Sequence, residues 1–274
     1  MSTDRLMAGL RSGATYLFLS VMGLLSVFPF VWMALGATNK ANDITNGKAT
    51  FGGELATNIA KFFTLVDTPL VFWNSLKVAI LSTVFTLLVS SFAGYGFEIF
   101  RSRLRERFYG ALLLTLMVPF AALMIPLFVI MAKVGLINTH LAVILPTIAS
   151  AFIIFYFRQS TKAFPSELRD AAKVDGLKEW QIFLFIYMPV MRSTYAAAFI
   201  IVFMTAWNNY LWPLIVLQTN EMKTITLVVS SLASAYYPDY GVVMVGTVLA
   251  TLPTLVVFFA MQRQFVQGLT GSIK

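Results

Sequence analysis

The chain has 274 residues, 58% of them hydrophobic and 12% charged, with a mean hydropathy of +0.79 and a net charge of +8. A soluble globular domain carries about 25% charged residues, so this fraction places the chain among membrane proteins, and the basic excess reads as topology rather than as a nucleic-acid surface. Cysteine is absent and His140 is the single histidine, which excludes disulfides, thiolate chemistry and a zinc site built on Cys or paired His.

A helix crosses the hydrocarbon core with about 20 apolar residues. Uncharged intervals of that length predict an all-α polytopic fold with six transmembrane spans. Residues 1–13 precede the first span, 14–37. That run is too long for a cleavable signal peptide and lacks a small-residue cleavage site, so it reads as retained. Residues 38–70 begin polar and Gly-rich, then form an amphipathic stretch, Leu55 to Leu65, suited to lying on a membrane face. The second span, 71–97, leads into a basic loop, 98–108. A tight turn at 134–139, with Gly135 and Asn138, joins the third span, 109–133, to the fourth, 140–158. A polar segment, 159–189, precedes the fifth span, 190–216. Loop 217–240 contains Tyr236 and Tyr237, whose ordinary role is interfacial anchoring. The sixth span, 241–263, and a tail, 264–274, complete the chain. Gly94, Gly96, Pro119, Pro126, Pro146, Pro213 and Pro253 are expected to interrupt spans.

Six spans put both termini on one side. Loop 98–108, segment 158–192 and the termini hold fourteen of the 20 Lys and Arg residues. The positive-inside rule makes that side cytoplasmic and makes 38–70, 134–139 and 217–240 external. No charged residue lies near the centre of a span, which disfavours an ion-coupled carrier.

The informative cytoplasmic stretch is Pro165-Ser166-Glu167-Leu168-Arg169-Asp170-Ala171-Ala172-Lys173-Val174-Asp175-Gly176-Leu177. Ser166 is the expected N-cap, and Glu167 suits the positive end of the helix dipole. Glu167, Asp170, Ala171 and Val174 share one face, and Gly176 is placed to end the helix in the left-handed conformation. A face of alanines and one acid suits a groove on another protein; it equally suits an ordinary loop helix on the bilayer. A second, apolar helix runs from Ile182 towards Pro189. In the fifth span, Trp207, Asn208, Asn209 and Tyr210 offer aromatic faces and hydrogen-bonding groups, as Asn74 does in the second. The same residues serve equally as interfacial anchors or as glue between helices.

The Asp170-Ala171-Ala172 triplet, Gly176 and Pro189 resemble the EAA loop of binding-protein-dependent ABC permeases, with Asp170 where the family usually has Glu. Asn74-Ser75-Leu76, Ala93-Gly94-Tyr95, Ile125-Pro126-Leu127, Gly135-Leu136-Ile137-Asn138-Thr139, Pro165-Ser166-Glu167-Leu168, Trp207-Asn208-Asn209-Tyr210-Leu211 and Gly268-Leu269-Thr270 extend the likeness along most of the chain. Together they resemble the MalG-type carbohydrate permeases, with a leaning towards those for disaccharides such as lactose.

The resemblance implies a MetI-like type I ABC importer permease in the bacterial inner membrane. Its implied partners are a second, MalF-like permease, a homodimeric ATPase and a periplasmic sugar-binding protein. This chain would bind no cofactor, ATP and Mg belonging to the ATPase. The resemblance gives Asp170, Ala171, Ala172 and Gly176 the ATPase-coupling role, flanked by Glu167, Asp175 and Leu177, and lets the tail reach the ATPase as well. Asn74, Trp207, Asn208, Asn209 and Tyr210 become candidates for the substrate path. The alternative is a stand-alone secondary carrier, which would need a coupling-ion site and often shows internal repeats. A membrane scaffold is a third reading. An enzyme is the least favoured reading, since no nucleophile, base and orienting group assemble from one His and no Cys and there is no Gly-rich phosphate loop.

Overall fold

The computed structural model describes residues 3–270, and their regular structure is entirely helical. In chain order the α-helices are α1 (Thr3–Ala37), α2 (Ala41–Thr45), α3 (Leu55–Leu65), α4 (Thr68–Ile99), α5 (Arg103–Leu114), α6 (Phe120–Lys133), α7 (His140–Ile144), α8 (Ala151–Thr161), α9 (Ser166–Val174), α10 (Glu179–Ile182), α11 (Met188–Val190), α12 (Arg192–Trp207), α13 (Leu211–Val216), α14 (Ile225–Ala233) and α15 (Tyr240–Thr270). Three stretches are long and apolar enough to cross a membrane: Arg11–Ala37, Thr68–Ile99 and Tyr240–Arg263. Three bent pairs reach the same measure jointly, giving up to six spans if each pair is one span. The chain is therefore an all-α polytopic membrane protein.

It divides into two compact units. The first comprises residues 3–67 with Val229–Leu252. Within it the chain leaving α1 is knotted by amides and hydroxyls. Asn39 donates to the Thr50 carbonyl (2.8 Å), the Gly52 amide donates to Thr38 Oγ1 (2.8 Å), and Asn58 donates to the carbonyls of Ala37 (2.9 Å) and Asn39 (3.0 Å). These bonds satisfy backbone groups that the loop would otherwise leave unpaired. The amphipathic stretch forms α3 with the expected ends, and it buries Asn58 and Phe62. Lys61 pairs with Asp239 at 2.9 Å, which raises the lysine's pKa through the hydrogen bond and the carboxylate's charge.

The second unit comprises Thr68–Val228 and the chain from Pro253. Its axis is α4, against which α8 and α12 pack. The buried side of α4 is built from small and hydroxylated residues, including Ser75, Ser82, Thr83, Thr86, Ser90, Ser91 and Gly94. Such residues let membrane helices approach closely. At Gly94 the approach is tightest: a Cβ there would lie 2.7 Å from Phe157 Cβ and 2.8 Å from the Arg158 amide nitrogen.

Three of the predicted spans are not continuous helices. The region 109–133 breaks after α5, passes through a 3-10 turn and resumes as α6 with a bend of 103°. The break falls at Val118 and Pro119, both extended, because proline supplies no N–H and disfavours helix in the residue before it. The region 140–158 bends by 41° before α8, past Pro146, where the Ser150 hydroxyl caps the new helix. The region 190–216 ends its first helix at Trp207 and starts a second at Leu211. Pro213 lies in the first turn of α13, where proline is tolerated, so it is not the break. Pro126 and Pro253 sit inside α6 and α15 and interrupt neither.

Candidate functional site

The first candidate surface is α9 and the elements that hold it. Pro165, not Ser166, stands at the N-cap position, with an extended backbone and no side-chain cap bond; Ser166 is the first helical residue. At the other end the Leu177 amide donates to the Ala172 carbonyl and the Gly176 amide to the Lys173 carbonyl, each at 3.0 Å. Gly176 has φ +81°. These two bonds and the left-handed glycine form the Schellman stop expected from the sequence.

The helix then has two unlike sides. Glu167, Asp170, Ala171 and Val174 are exposed, Val174 to 89%. Asp175 and Gly176 are exposed at its end, Leu177 is half-buried, and Ala172 is buried at 6% exposure. The structure thus gathers Glu167, Asp170 and Ala171 on one free surface and turns Ala172 away from it. The inward side is clamped by Glu179 at the start of α10. Arg169 Nε donates to Glu179 Oε2 at 3.3 Å while its Nη2 reaches Oε1, and Lys173 Nζ lies 2.9 Å from Oε1. The Tyr95 hydroxyl, on α4, donates to Oε2 at 3.3 Å, and the Arg169 guanidinium stands 5.4 Å above the Phe100 ring. Burial opposes the charge on Arg169, but the hydrogen bond and charge of Glu179 outweigh it and hold the pKa above its usual value. Beneath the clamp, Tyr95, Phe164, Phe183 and Tyr187 form a packed aromatic cluster. Phe183–Tyr187 is a π-helical segment between α10 and α11. α9 is thus joined to α4 by the carboxylate of Glu179, the Tyr95 hydroxyl and the aromatic cluster.

The second candidate surface is a cavity of ≈ 370 Å³ between α4, α8 and α12. Ser82, Thr86, Thr147, Ser150, Thr205 and Asn209 line it with polar groups, and the rings of Phe120 and Phe152 stand beside them. Of the five residues proposed from sequence for a substrate path, this cavity receives Asn209. Asn74 is buried and donates to the Glu221 carbonyl at 2.7 Å. Trp207 is 2% exposed, stacked on Phe203 (5.9 Å), and its carbonyl accepts from Thr226 Oγ1 at 2.9 Å. Asn208 is exposed and donates back to the Met204 carbonyl at 2.9 Å, and Tyr210 packs on the core around Trp212. Sequence reasoning missed Ser82 and Thr86, although two hydroxyls four residues apart in the middle of an apolar span are a visible signal. Among the described residues no group of three or more His, Asp or Glu side chains could hold a metal ion.

Comparison with known proteins decides the family. Residues 99–271 match the model of the binding-protein-dependent transport system inner membrane component. The chain belongs to that family. It is 73% identical, over 94% of its length and 95% of the relative's, to the lactose transport system permease protein LacG of Rhizobium radiobacter. It is 35% identical to the arabinooligosaccharides transport system permease protein AraQ of Halalkalibacterium halodurans, over 92% of this chain and 93% of that one. A solved bacterial ABC transporter involved in the import of the acidic polysaccharide alginate contains a chain of the same fold, with TM-score 0.80, 19% identity and coverage of 97% of this chain and 99% of that one. As a member of this family the chain is an ABC transporter permease related to those of sugar import.

Proposed function

We propose that the chain is the pore-forming permease subunit of a bacterial inner-membrane importer for a di- or oligosaccharide, with lactose the leading candidate. Six spans, each bent pair taken as one, put both termini in the cytoplasm. α9 is then the coupling helix that docks on a homodimeric ATPase, beside a second, MalF-like permease and a periplasmic sugar-binding protein.

The observation that carries this reading is the two-sided character of α9. Glu167, Asp170, Ala171 and Val174 are exposed, while the opposite side is bound to α4 through Glu179. The ion pairs from Arg169 and Lys173 to Glu179, and the hydrogen bond from Tyr95 to the same carboxylate, give α9 a link to a membrane span that a loop helix held only by its ends would lack. ATP-driven closure of the ATPase would move α9 as a rigid body and rock α4 with α8 and α12. Asp170 supplies the charge that pairs with a basic residue in the ATPase cleft, and Gly176 sets the exit angle. Glu167, Asp175 and Leu177 flank the contact, and Ala172 contributes by close packing on the inward side. We assign Asn209 to the substrate path, and Asn74, Trp207, Asn208 and Tyr210 to the frame around it. The likeness to the lactose permease supports the choice of sugar.

The test is purification of the complex followed by reconstitution. The expected complex contains a second permease and two ATPase copies, and lactose enters proteoliposomes when ATP and the binding protein are supplied. Uptake driven by a proton gradient without ATP would replace this reading with the secondary carrier.

A further inference from the structure

We infer that the cavity between α4, α8 and α12 is a carbohydrate subsite belonging to this subunit itself, shaped for one hydroxylated sugar ring on its way through; the inference rests on the import function proposed above.

Three observations carry it. The first is size: ≈ 370 Å³ falls in the range of about 300–1,000 Å³ typical of small-ligand pockets and exceeds what a bridging water fills. The second is depth. Ser82 and Thr86 sit near the middle of the 32-residue α4, so the polar lining lies far from either end of a span. Membrane transporters place substrate sites near that level. The third is unfinished hydrogen bonding. Thr86 Oγ1 donates to the Thr147 carbonyl at 3.0 Å, and Thr205 Oγ1 to the Ile201 carbonyl at 2.8 Å. Ser82 is 1% exposed and lines the cavity, and Ser90, one turn beyond Thr86 on α4, has a buried hydroxyl with no partner among the described residues. A buried hydroxyl in an apolar span is costly to leave unmet.

The chemistry of the lining selects the ligand class. Neutral donors and acceptors from Ser82, Ser150 and Asn209 match sugar hydroxyls, and the Phe120 and Phe152 rings offer apolar faces for the C–H side of a pyranose. No charged side chain lines the cavity, so it offers no ion pair to a phosphate or carboxylate. The Ser82–Thr86–Ser90 row continues the polar track beyond the cavity.

The chain contains no cysteine, so single-cysteine variants report without background. In the reconstituted complex, Thr205→Cys and a control on α15, Val256→Cys, are treated with a methanethiosulfonate reagent during ATP turnover with the binding protein. Lactose and arabinotriose are the probes. The expected result is that the sugar the wild-type complex imports slows labelling at 205 about fivefold or more and leaves 256 unchanged. In parallel, Ser82→Val and Asn209→Ala raise the KM for that sugar about fivefold, while binding-protein-stimulated ATP hydrolysis persists. Asn209 is only half-buried, so its variant guards against a folding defect at Ser82. If wild-type import proceeds but 205 is not protected and both KM values stay put, the subsite is overturned and the import function stands. Failure of 205 to label at all in the assembled complex overturns it too, since a partner side chain would then fill the space. If the wild-type complex imports neither sugar on ATP, it is the import function that falls.

Discussion

Arg169 on α9 and Glu179 on α10 meet in a two-point ion pair, and the same carboxylate accepts a hydrogen bond from Tyr95 on α4 at 3.3 Å. Arg169 is 18% exposed and Glu179 33%, so solvent screening keeps the pair's contribution to stability near the surface range of about 1 kcal/mol. Its mechanical value is larger, because it makes the proposed coupling helix and a membrane span one body. Glu179→Gln keeps the shape and removes the charge. The expected outcome is near-normal membrane insertion and ATP hydrolysis, with sugar uptake per ATP reduced roughly fivefold. Equal loss of hydrolysis and uptake would mean that Glu179 supports docking rather than transmission.

Gly176 gives the second prediction. Its φ of +81° lies where a residue with a Cβ is strained by about 1–2 kcal/mol, and a β-branched one by more. Gly176→Val is expected to abolish uptake while the protein still inserts, because Leu177 and Lys178 would leave α9 at the wrong angle. Asn tolerates the left-handed region, so Gly176→Asn should keep a substantial part of the activity. Indistinguishable transport by the valine variant would remove Gly176 from the coupling role.

The burial of Ala172 separates two neighbours that look equivalent in sequence. Ala171 is exposed and Ala172 is 6% exposed. Single cysteines at Ala171 and at Val174 are expected to crosslink to the ATPase subunit in membranes, and a cysteine at Ala172 is expected not to. Trapping from 172 with none from 171 would reverse the proposed docking face.

The parts of this arrangement that repeat at short range were legible in the sequence. The ends of α3, the glycine stop of α9 and the exposed face through Glu167, Asp170 and Ala171 follow from helical spacing and from one residue type that accepts positive φ. Tertiary features were not legible. No charge interrupts Thr115–Pro119 or Asn208–Tyr210, so the breaks there were invisible to a search for long uncharged intervals. Proline did not settle the matter either, since Pro126 and Pro253 remain within helices while Pro119 stands at a bend. Neighbouring groups decide which freed carbonyl finds a partner. Ala172 is buried on the side of α9 that Glu179 clamps, and the partners of that carboxylate are Arg169 and Lys173, ten and six residues upstream, and Tyr95 on α4. Asn74 and Trp207 looked like ligand groups because amides and indoles serve both recognition and packing, and their partners here are backbone carbonyls and other rings.

Gly94 ties the hydroxylated face of α4 to α8 and supplies the last prediction. A Cβ at 94 meets Phe157 Cβ at 2.7 Å and the Arg158 amide nitrogen at 2.8 Å, neither of which is the end of a flexible side chain. Arg158 cannot give way freely: it is 7% exposed, 3.3 Å from Glu98 Oε2, 2.5 Å from Glu106 Oε1, and its guanidinium lies 3.9 Å from the Tyr109 ring centroid. Gly94→Ala should therefore destabilise the protein by about 1–3 kcal/mol through overpacking, read as a lower Tm in detergent. Gly96 has open space where its Cβ would be, so Gly96→Ala should leave Tm unchanged or slightly raised by the better helix propensity of alanine. The pair of variants distinguishes close packing of α4 on α8 from a general need for glycine flexibility, which would make both substitutions harmful.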